Sequence, residues 1–307
     1  MRCHALLRRA MWRHAMLLTV GAPLVVRAQD TTAVQRSVLA ADRAAAASGA
    51  ALTLALAPSA TVLLPGLPVL AGAAAYRDHL PALVAAGEAG AGWTPVHAVV
   101  ARDGTMGCST GVLRLVAADS TRPATGRYAA CWRRQRDGRW QLVALSRAPA
   151  PPAVRSLPDS LPGAPGSFGL AAPRGVQAAQ AMADADRAFG RFSADSGGPA
   201  NAFARWIAPD GMMLGARAVP VRGAEQVRLA FSGFPSTGQF AWAPIDSLSQ
   251  ASDDGSLGFT IGEAHIAASP TEVSYSKYLT IWRREADGQY RWIFDIGSDR
   301  PAPSPPR

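Results

Sequence analysis

Six polar side chains in residues 174–300 are candidates to face one pocket and carry chemistry there: Asp210, His265, Tyr275, Lys277, Tyr278 and Asp295. A carboxylate and an imidazole in an apolar cup have shifted pKa values and can work as an acid–base pair. Asp210, His265 and Asp295 are therefore the catalytic candidates. Each also has a plain structural use. Asp210 follows a proline and can cap a turn, Asp295 can pair with a surface arginine, and His265 sits in a strand pattern. Phe189, Trp206, Met213, Tyr275, Tyr278 and Trp292 are the candidates for an apolar pocket wall, Met213 adding a deformable side chain.

Other constellations are weaker. Gly107-Cys108-Ser109-Thr110-Gly111 matches the G-x-S-x-G spacing of a nucleophile elbow, but the elbow needs a strand, a sharp turn and a helix. Here Val112-Leu113-Arg114-Leu115-Val116 continues as a strand, so the glycines read as a bent strand. His79, His97 and His265 are far apart and lack metal spacing, which implies no metal site, and no motif implies a cofactor. Cys108 and Cys131 fall on successive strands, nearly symmetric about the loop near Asp119-Ser120. Cross-strand partners lie within disulfide reach, so the pair is a candidate bridge, with two free core thiols as the alternative.

Residues 1–28 are to be set apart from these elements. Arg2, Arg8, Arg9 and Arg13 precede an apolar run from Ala15 to Val26, and Ala28 offers a small residue before a cut. That order reads as a secretory leader, too short to span a bilayer, and implies a periplasmic or secreted protein. Five of the 31 basic residues and none of the 22 acidic ones fall in this segment, so the remainder carries 26 against 22, a net +4 in place of +9. No basic run follows, which excludes a nucleic-acid footprint, and no stable membrane span remains. Hydrophobic residues at 49% and charged ones at 17% indicate a folded chain.

An internal repeat organises the rest. Trp132-Arg133-Arg134-x-x-Asp137-Gly138 recurs 150 residues later as Trp282-Arg283-Arg284-x-x-Asp287-Gly288. Asp103-Gly104, Trp93-Thr94-Pro95, Gly72-Ala73, Ala57-Pro58 and Asp42-Arg43-Ala44 recur in the same order as Asp254-Gly255, Trp242-Ala243-Pro244, Gly223-Ala224, Ala208-Pro209 and Asp186-Arg187-Ala188. Two bodies, 29–147 and 174–300, are thus expected. Between them lies a proline-rich linker, 148–173, and after them a disordered tail, 301–307. In this alignment Asp295 matches Leu145, His265 matches Arg114 and Asp210 matches Ser59, so the second copy is the better equipped.

Periodicity predicts helices over 177–193, 201–207 and 223–232, then strands over 240–249, 256–267, 273–284 and 289–296. Helices followed by an antiparallel meander make an α+β body. That order, with Ala185-Asp186-Arg187-Ala188-Phe189, Ile207-Ala208-Pro209-Asp210-Gly211 and Ile281-Trp282-Arg283-Arg284, resembles the NTF2-like superfamily, in its DUF4440 and SnoaL-like group. The resemblance implies two tandem cone-shaped domains, each with N-terminal helices packed on a curved antiparallel sheet around a pocket. It also implies that the two domains pair as an intramolecular pseudo-dimer. Ketosteroid isomerase in that superfamily carries its base carboxylate just beyond the second of these motifs. Here Met212-Met213-Leu214-Gly215 fills that stretch, and the nearest counterpart of its oxyanion tyrosine is Phe189. The reading is therefore an exported, non-catalytic binder of a small apolar or amphipathic ligand in the second pocket. The alternative is a SnoaL-like isomerase, cyclase or lyase using an acid–base pair there.

Overall fold

The computed structural model of the chain describes residues 30–85, 92–115 and 124–303, apart from 152, 153, 155, 159, 168, 172, 173 and 216–218. The expected leader and residues 304–307 of the expected tail lie outside these. The first half runs α1 (Thr31–Ala46), α2 (Gly49–Ala55), β1 (Leu56–Leu63), β2 (Leu70–Ala71), α3 (Ala73–Ala85), β3 (Gly92–Val100), β4 (Met106–Leu115), β5 (Ala124–Arg134) and β6 (Trp140–Pro149). The second runs α4 (Gly175–Phe192), α5 (Gly198–Trp206), β7 (Ile207–Met213), β8 (Val221–Arg222), α6 (Gly223–Ala230), β9 (Gln239–Pro244), β10 (Gln250–Ala251), β11 (Leu257–Ser269), β12 (Glu272–Arg284) and β13 (Tyr290–Asp299). The architecture is α+β: two sheets, each with helices packed against it.

Local sequence explains the starts and stops. Asp30 caps α1 by accepting from Thr32 N, and Ser48 caps α2 by accepting from Ala51 N. Val34, Val38, Asp42 and Ala45 form the buried stripe of α1, and Ala178, Met182, Asp186 and Phe189 that of α4. Both stripes follow helical spacing, and both contain an aspartate. The last hairpin of each half turns at Asp137-Gly138 or Asp287-Gly288, with the glycines at φ 83° and 80°.

The sheet order is β2-β1-β6-β5-β4-β3 in the first half. In the second it is β10-β11-β12-β13-β7-β8, with β9 also paired to β11. Neither sheet is purely antiparallel as expected: β1 runs parallel to β6, and β7 parallel to β13. The segment after the second helix, read as a turn from its Ala-Pro pair, is a strand in both halves. Pro209 has no N–H for a ladder, and a register shift between Trp292 and Phe294 accommodates it. The expected strand over 240–249 stops at Pro244 and gives way to a 3₁₀ turn, Asp246–Leu248.

Cys108 faces Cys131 directly across β4 and β5, and the two are joined by a disulfide. They share one buried cluster with Val99 of the first sheet and Phe259, Ile281 and Phe294 of the second. His97 meets Phe294 ring to ring at 6.2 Å. At one end, Asp103 N donates to Asp254 Oδ2 at 3.1 Å while Asp254 N donates to Asp103 Oδ2 at 2.7 Å. The proline-rich segment begins after β6, which extends to Pro149, and is bound to both halves. Ser167 Oγ accepts from Val100 N, Pro165 O lies 2.8 Å from His97 Nε2, and Leu170 N donates to Arg284 O.

Candidate functional site

The second half contains a cavity of about 60 Å³ between its helices and its sheet. Phe189 of α4, Phe203 of α5, and Phe240 and Trp242 of β9 form an aromatic wall. Phe203 meets all three other rings of the wall, 4.8 Å from Phe189, 5.3 Å from Trp242 and 6.0 Å from Phe240 between centroids, and Phe189 lies edge-to-face on Trp242 at 4.5 Å. The floor is Tyr278 and Thr280 of β12 with Asp295 of β13, and the mouth is bounded by Ser276 and Gly297. Alternation along β12 places Ser276, Tyr278 and Thr280 on one face, which is why these three line the cavity together.

Asp295 is the acid of the cavity. Its side chain accepts a 2.6 Å hydrogen bond from Thr280 Oγ1, the one donor to this carboxylate among the described residues. Burial pushes its carboxyl up to about 6, against the lowering pull of Thr280. Beneath it lies a second buried acid. Asp186, fully enclosed, accepts from Tyr278 Oη at 3.0 Å and from Trp242 Nε1 at 3.2 Å. Burial lifts Asp186 to about 7; hydrogen bonds from Thr260, Tyr278 and Trp242 pull it down, and the charge of Asp295 adds to the rise. The Tyr278 phenol is driven well above its ordinary range by burial and by the neighbouring Asp186.

The first half repeats the inner network but not the outer one. Asp42 accepts from Trp93 Nε1 and Tyr128 Oη, each at 2.6 Å, matching Asp186 with Trp242 and Tyr278. Trp132 Nε1 donates to Ser109 Oγ at 3.0 Å, as Trp282 Nε1 donates to Thr260 Oγ1 at 2.8 Å. Ser109 is buried mid-strand in this network, not on an elbow. The glycine frame around it has a steric cause: a Cβ at Gly262 would collide with Ala243 O and Tyr278 Oη, and one at Gly111 with Thr94 O. At the positions of Thr280 and Asp295, however, the first half has Ala130 and Leu145, which form the same cross-strand pair.

The sequence candidates separate accordingly. Phe189, Tyr278 and Asp295 line the cavity. Trp292 is buried, 6.0 Å from Phe203, Trp206 stacks on Phe189 at 5.6 Å, and Met213 packs against the same cluster; these three back the wall without lining it. His265 and Tyr275 do not belong to the cavity. They face each other across β11 and β12 in direct register, 5.3 Å between ring centroids. Ala264 and Ser276 take the cavity side, so strand alternation turns His265 and Tyr275 to the other face. Lys277 likewise turns away and donates to Asp299 O. Asp210 is not a cavity acid either. It forms a two-pronged ion pair with Arg283, at 2.7 and 3.1 Å, and accepts from Gly166 N. Burial opposes its charge, but Arg283 and Gly166 hold its carboxyl below the ordinary range. The expected pairing of His265 with either aspartate therefore does not form.

Asp186, Thr280, Trp242 and Phe203 are the site residues that sequence reasoning missed. One signal was present: Asp186 falls in phase with Ala178, Met182 and Phe189 on an otherwise apolar stripe, and the repeat keeps an aspartate there. Among the described residues no group of three or more His, Cys, Asp or Glu side chains is placed to hold a metal ion, and no helix is long and apolar enough to cross a membrane.

No family model and no curated protein matches the chain. Solved structures that resemble parts of it include the epoxide hydrolase/cyclase-like enzyme SalBIII, described for pyran ring formation in the polyether salinomycin. Identity to it is 17% and the TM-score 0.31, over 40% of this chain and 94% of that one. An NTF2-like protein with a cystatin-like fold from Novosphingobium aromaticivorans matches at 14% identity and a TM-score of 0.31, over 40% and 82%. A ketosteroid isomerase-like protein from Erwinia carotovora atroseptica matches at 15% and 0.30, over 40% and 92%.

Proposed function

We propose that the protein is an exported pair of NTF2-like units, of the DUF4440 and SnoaL-like group, descended from one duplicated unit. The second unit binds a small amphipathic molecule without transforming it. The observation that carries the binding reading is the cavity itself: an aromatic wall with a single acid, Asp295, on its floor. An apolar pocket with one convergent polar group is built for orientation and affinity. His265 and Asp210, the partners that acid–base turnover would draw on, serve elsewhere. The pairing of the two units as an intramolecular pseudo-dimer is supported by the cluster that Cys108 and Cys131 share with Phe259, Ile281 and Phe294. Export is supported by the order of arginines, apolar run and small residue over 1–28.

The test is a fragment screen on the full chain by two-dimensional NMR, reading the side-chain indole N–H of Trp242, assigned by its disappearance in Trp242→Phe. Fragments that shift this resonance and leave that of Trp140 unmoved support the reading. A screen in which no fragment shifts it, together with native mass spectrometry of the isolated protein showing no retained small molecule, overturns it.

A second reading, proton transfer to or from a bound substrate, is favoured by the placement of the Asp295 carboxyl in the cavity lining, where burial raises it to about 6. Incubation with small ketones in D₂O reads it directly. Deuterium appearing next to the carbonyl in the wild type and absent in Asp295→Asn establishes it, and no incorporation above buffer rejects it.

A further inference from the structure

We propose that the ligand of the second-half cavity is a small organic cation, a guanidinium or alkylammonium group, held between the Trp242 face and the Asp295 carboxylate. The inference rests on the binding reading above and supplies its chemistry.

The first half supplies the template. In the first sheet Arg147 lies opposite Tyr128, and in the second Gly297 lies opposite Tyr278, in the same register. Arg147 is buried, and its guanidinium sits over the Trp93 ring, 5.0 Å from the centroid. Trp93 is the counterpart of Trp242, and both indoles are fixed by donating Nε1–H to the aspartate of the first helix in their own half. The first half thus fills this place with a cation of its own, on an aromatic face whose quadrupole attracts positive charge. The second half keeps the indole, adds the faces of Phe189, Phe203 and Phe240, and withdraws the cation.

Two further substitutions fit that exchange. Leu145 in the first half becomes Asp295 in the second, so the half with a built-in cation lacks the carboxylate, and the half with the carboxylate lacks the cation. Gly297 is not required by its backbone: a Cβ there would meet nothing nearer than Lys277 O, at 3.5 Å, and its φ lies outside the left-handed region. What glycine secures is the open mouth. Cations on neighbouring elements are engaged elsewhere. Arg187 pairs with Asp184 and Asp246, Arg205 lies over Phe192 and Trp206, and Lys277 is on the opposite face. A buried carboxylate with one hydroxyl donor and an aromatic cage above it is completed by an incoming cation. The volume suits a headgroup of a few heavy atoms, with any tail leaving past Ser276 and Gly297.

The experiment titrates the full chain with methylguanidinium and with its neutral isostere N-methylurea, following the Trp242 indole N–H. Methylguanidinium is expected to bind roughly tenfold or more tightly than N-methylurea. Asp295→Asn is expected to bring the two together. Gly297→Arg, which installs the side chain of the first half, is expected to shift the Trp242 resonance without ligand and abolish the response to methylguanidinium. Equal binding of both probes, or a response to neutral fragments with none to methylguanidinium, overturns the cation while leaving the binding site standing. Silence of Trp242 toward every fragment overturns both. Loss of fold in Asp295→Asn is read from the dispersion of the same spectra, and the wild-type comparison of the two probes then decides alone.

Discussion

Thr280 Oγ1 donates to Asp295 Oδ2 at 2.6 Å, and at the same register the first sheet sets Ala130 opposite Leu145. The first half thus closes the same register without a polar pair. Asp295→Leu is expected to raise the melting temperature, since a buried carboxylate is replaced by the residue the other half already packs there. It is also expected to remove any ligand response at Trp242. Calorimetry with and without ligand checks both.

Thr280→Ala leaves Asp295 buried without its donor. Because that hydrogen bond favours the charged form, its loss is expected to push the Asp295 carboxyl above about 6, further from its ordinary value. Carboxyl-carbon NMR titration of the wild type and the variant reads the change.

Stability should fall as pH rises from about 4 to about 7. Asp186 is raised in the folded protein, to about 7, above its unfolded value of 3.8. Between those pH values the folded state holds a proton that the unfolded state has released, so the unfolding free energy declines with pH. The effect should be on the order of 1 kcal/mol or more, a few degrees of melting temperature. Asp295, raised to about 6, acts in the same direction over a narrower window. Asp186→Asn is expected to flatten the profile, and melts at intervals from pH 4.5 to 8 measure it.

Tyr278→Phe removes a donor to Asp186, and Tyr128→Phe one to Asp42. Each is expected to cost about 1–3 kcal/mol, since a buried acceptor loses a partner. Combining Tyr278→Phe with Asp186→Asn should cost less than the sum. Denaturant melts of the four-membered cycle test the coupling.

Arg283 joins β12 to Asp210 of β7 and, through Gly166 O, to the proline-rich segment. Asp210→Ala leaves the nearly buried guanidinium without its two-pronged acceptor and without the anchor for Gly166 N. Faster proteolytic cutting within 161–171 is expected, with a loss of about 1–3 kcal/mol, since Glu285 still pairs with the guanidinium. Limited proteolysis followed by mass spectrometry locates the cuts.

The helices and the last three long strands of each half were legible because their periodicities are strong and the repeat states them twice. The parallel strand was not. Ile207-Ala208-Pro209-Asp210-Gly211 carries every local mark of a turn, and only the remote β13, where Trp292 pairs with Ile207, makes it a strand. The cavity was legible in part for a similar reason. Phe189, Tyr278 and Asp295 emerge from helix phase and strand alternation. His265 and Tyr275 take the face away from the cavity because one residue of register decides which side of β11 and β12 a side chain takes. Asp186 announces itself only when an acid on an apolar stripe is compared with Asp42, and its donors, Trp242 and Tyr278 among them, are remote in sequence. Asp210 has the chemistry of a catalytic acid, and only the position of Arg283 reveals its use.

The crossed bonds between Asp103 and Asp254 bear on how the chain can change over generations. Each turn furnishes the acceptor for the amide of the other. A replacement that removes either carboxylate strands a donor on the opposite turn, so drift at one position exposes the other to selection. The interiors of the two halves differ, as Arg147 and Gly297 do, while at this corner each turn depends on the carboxylate of the other.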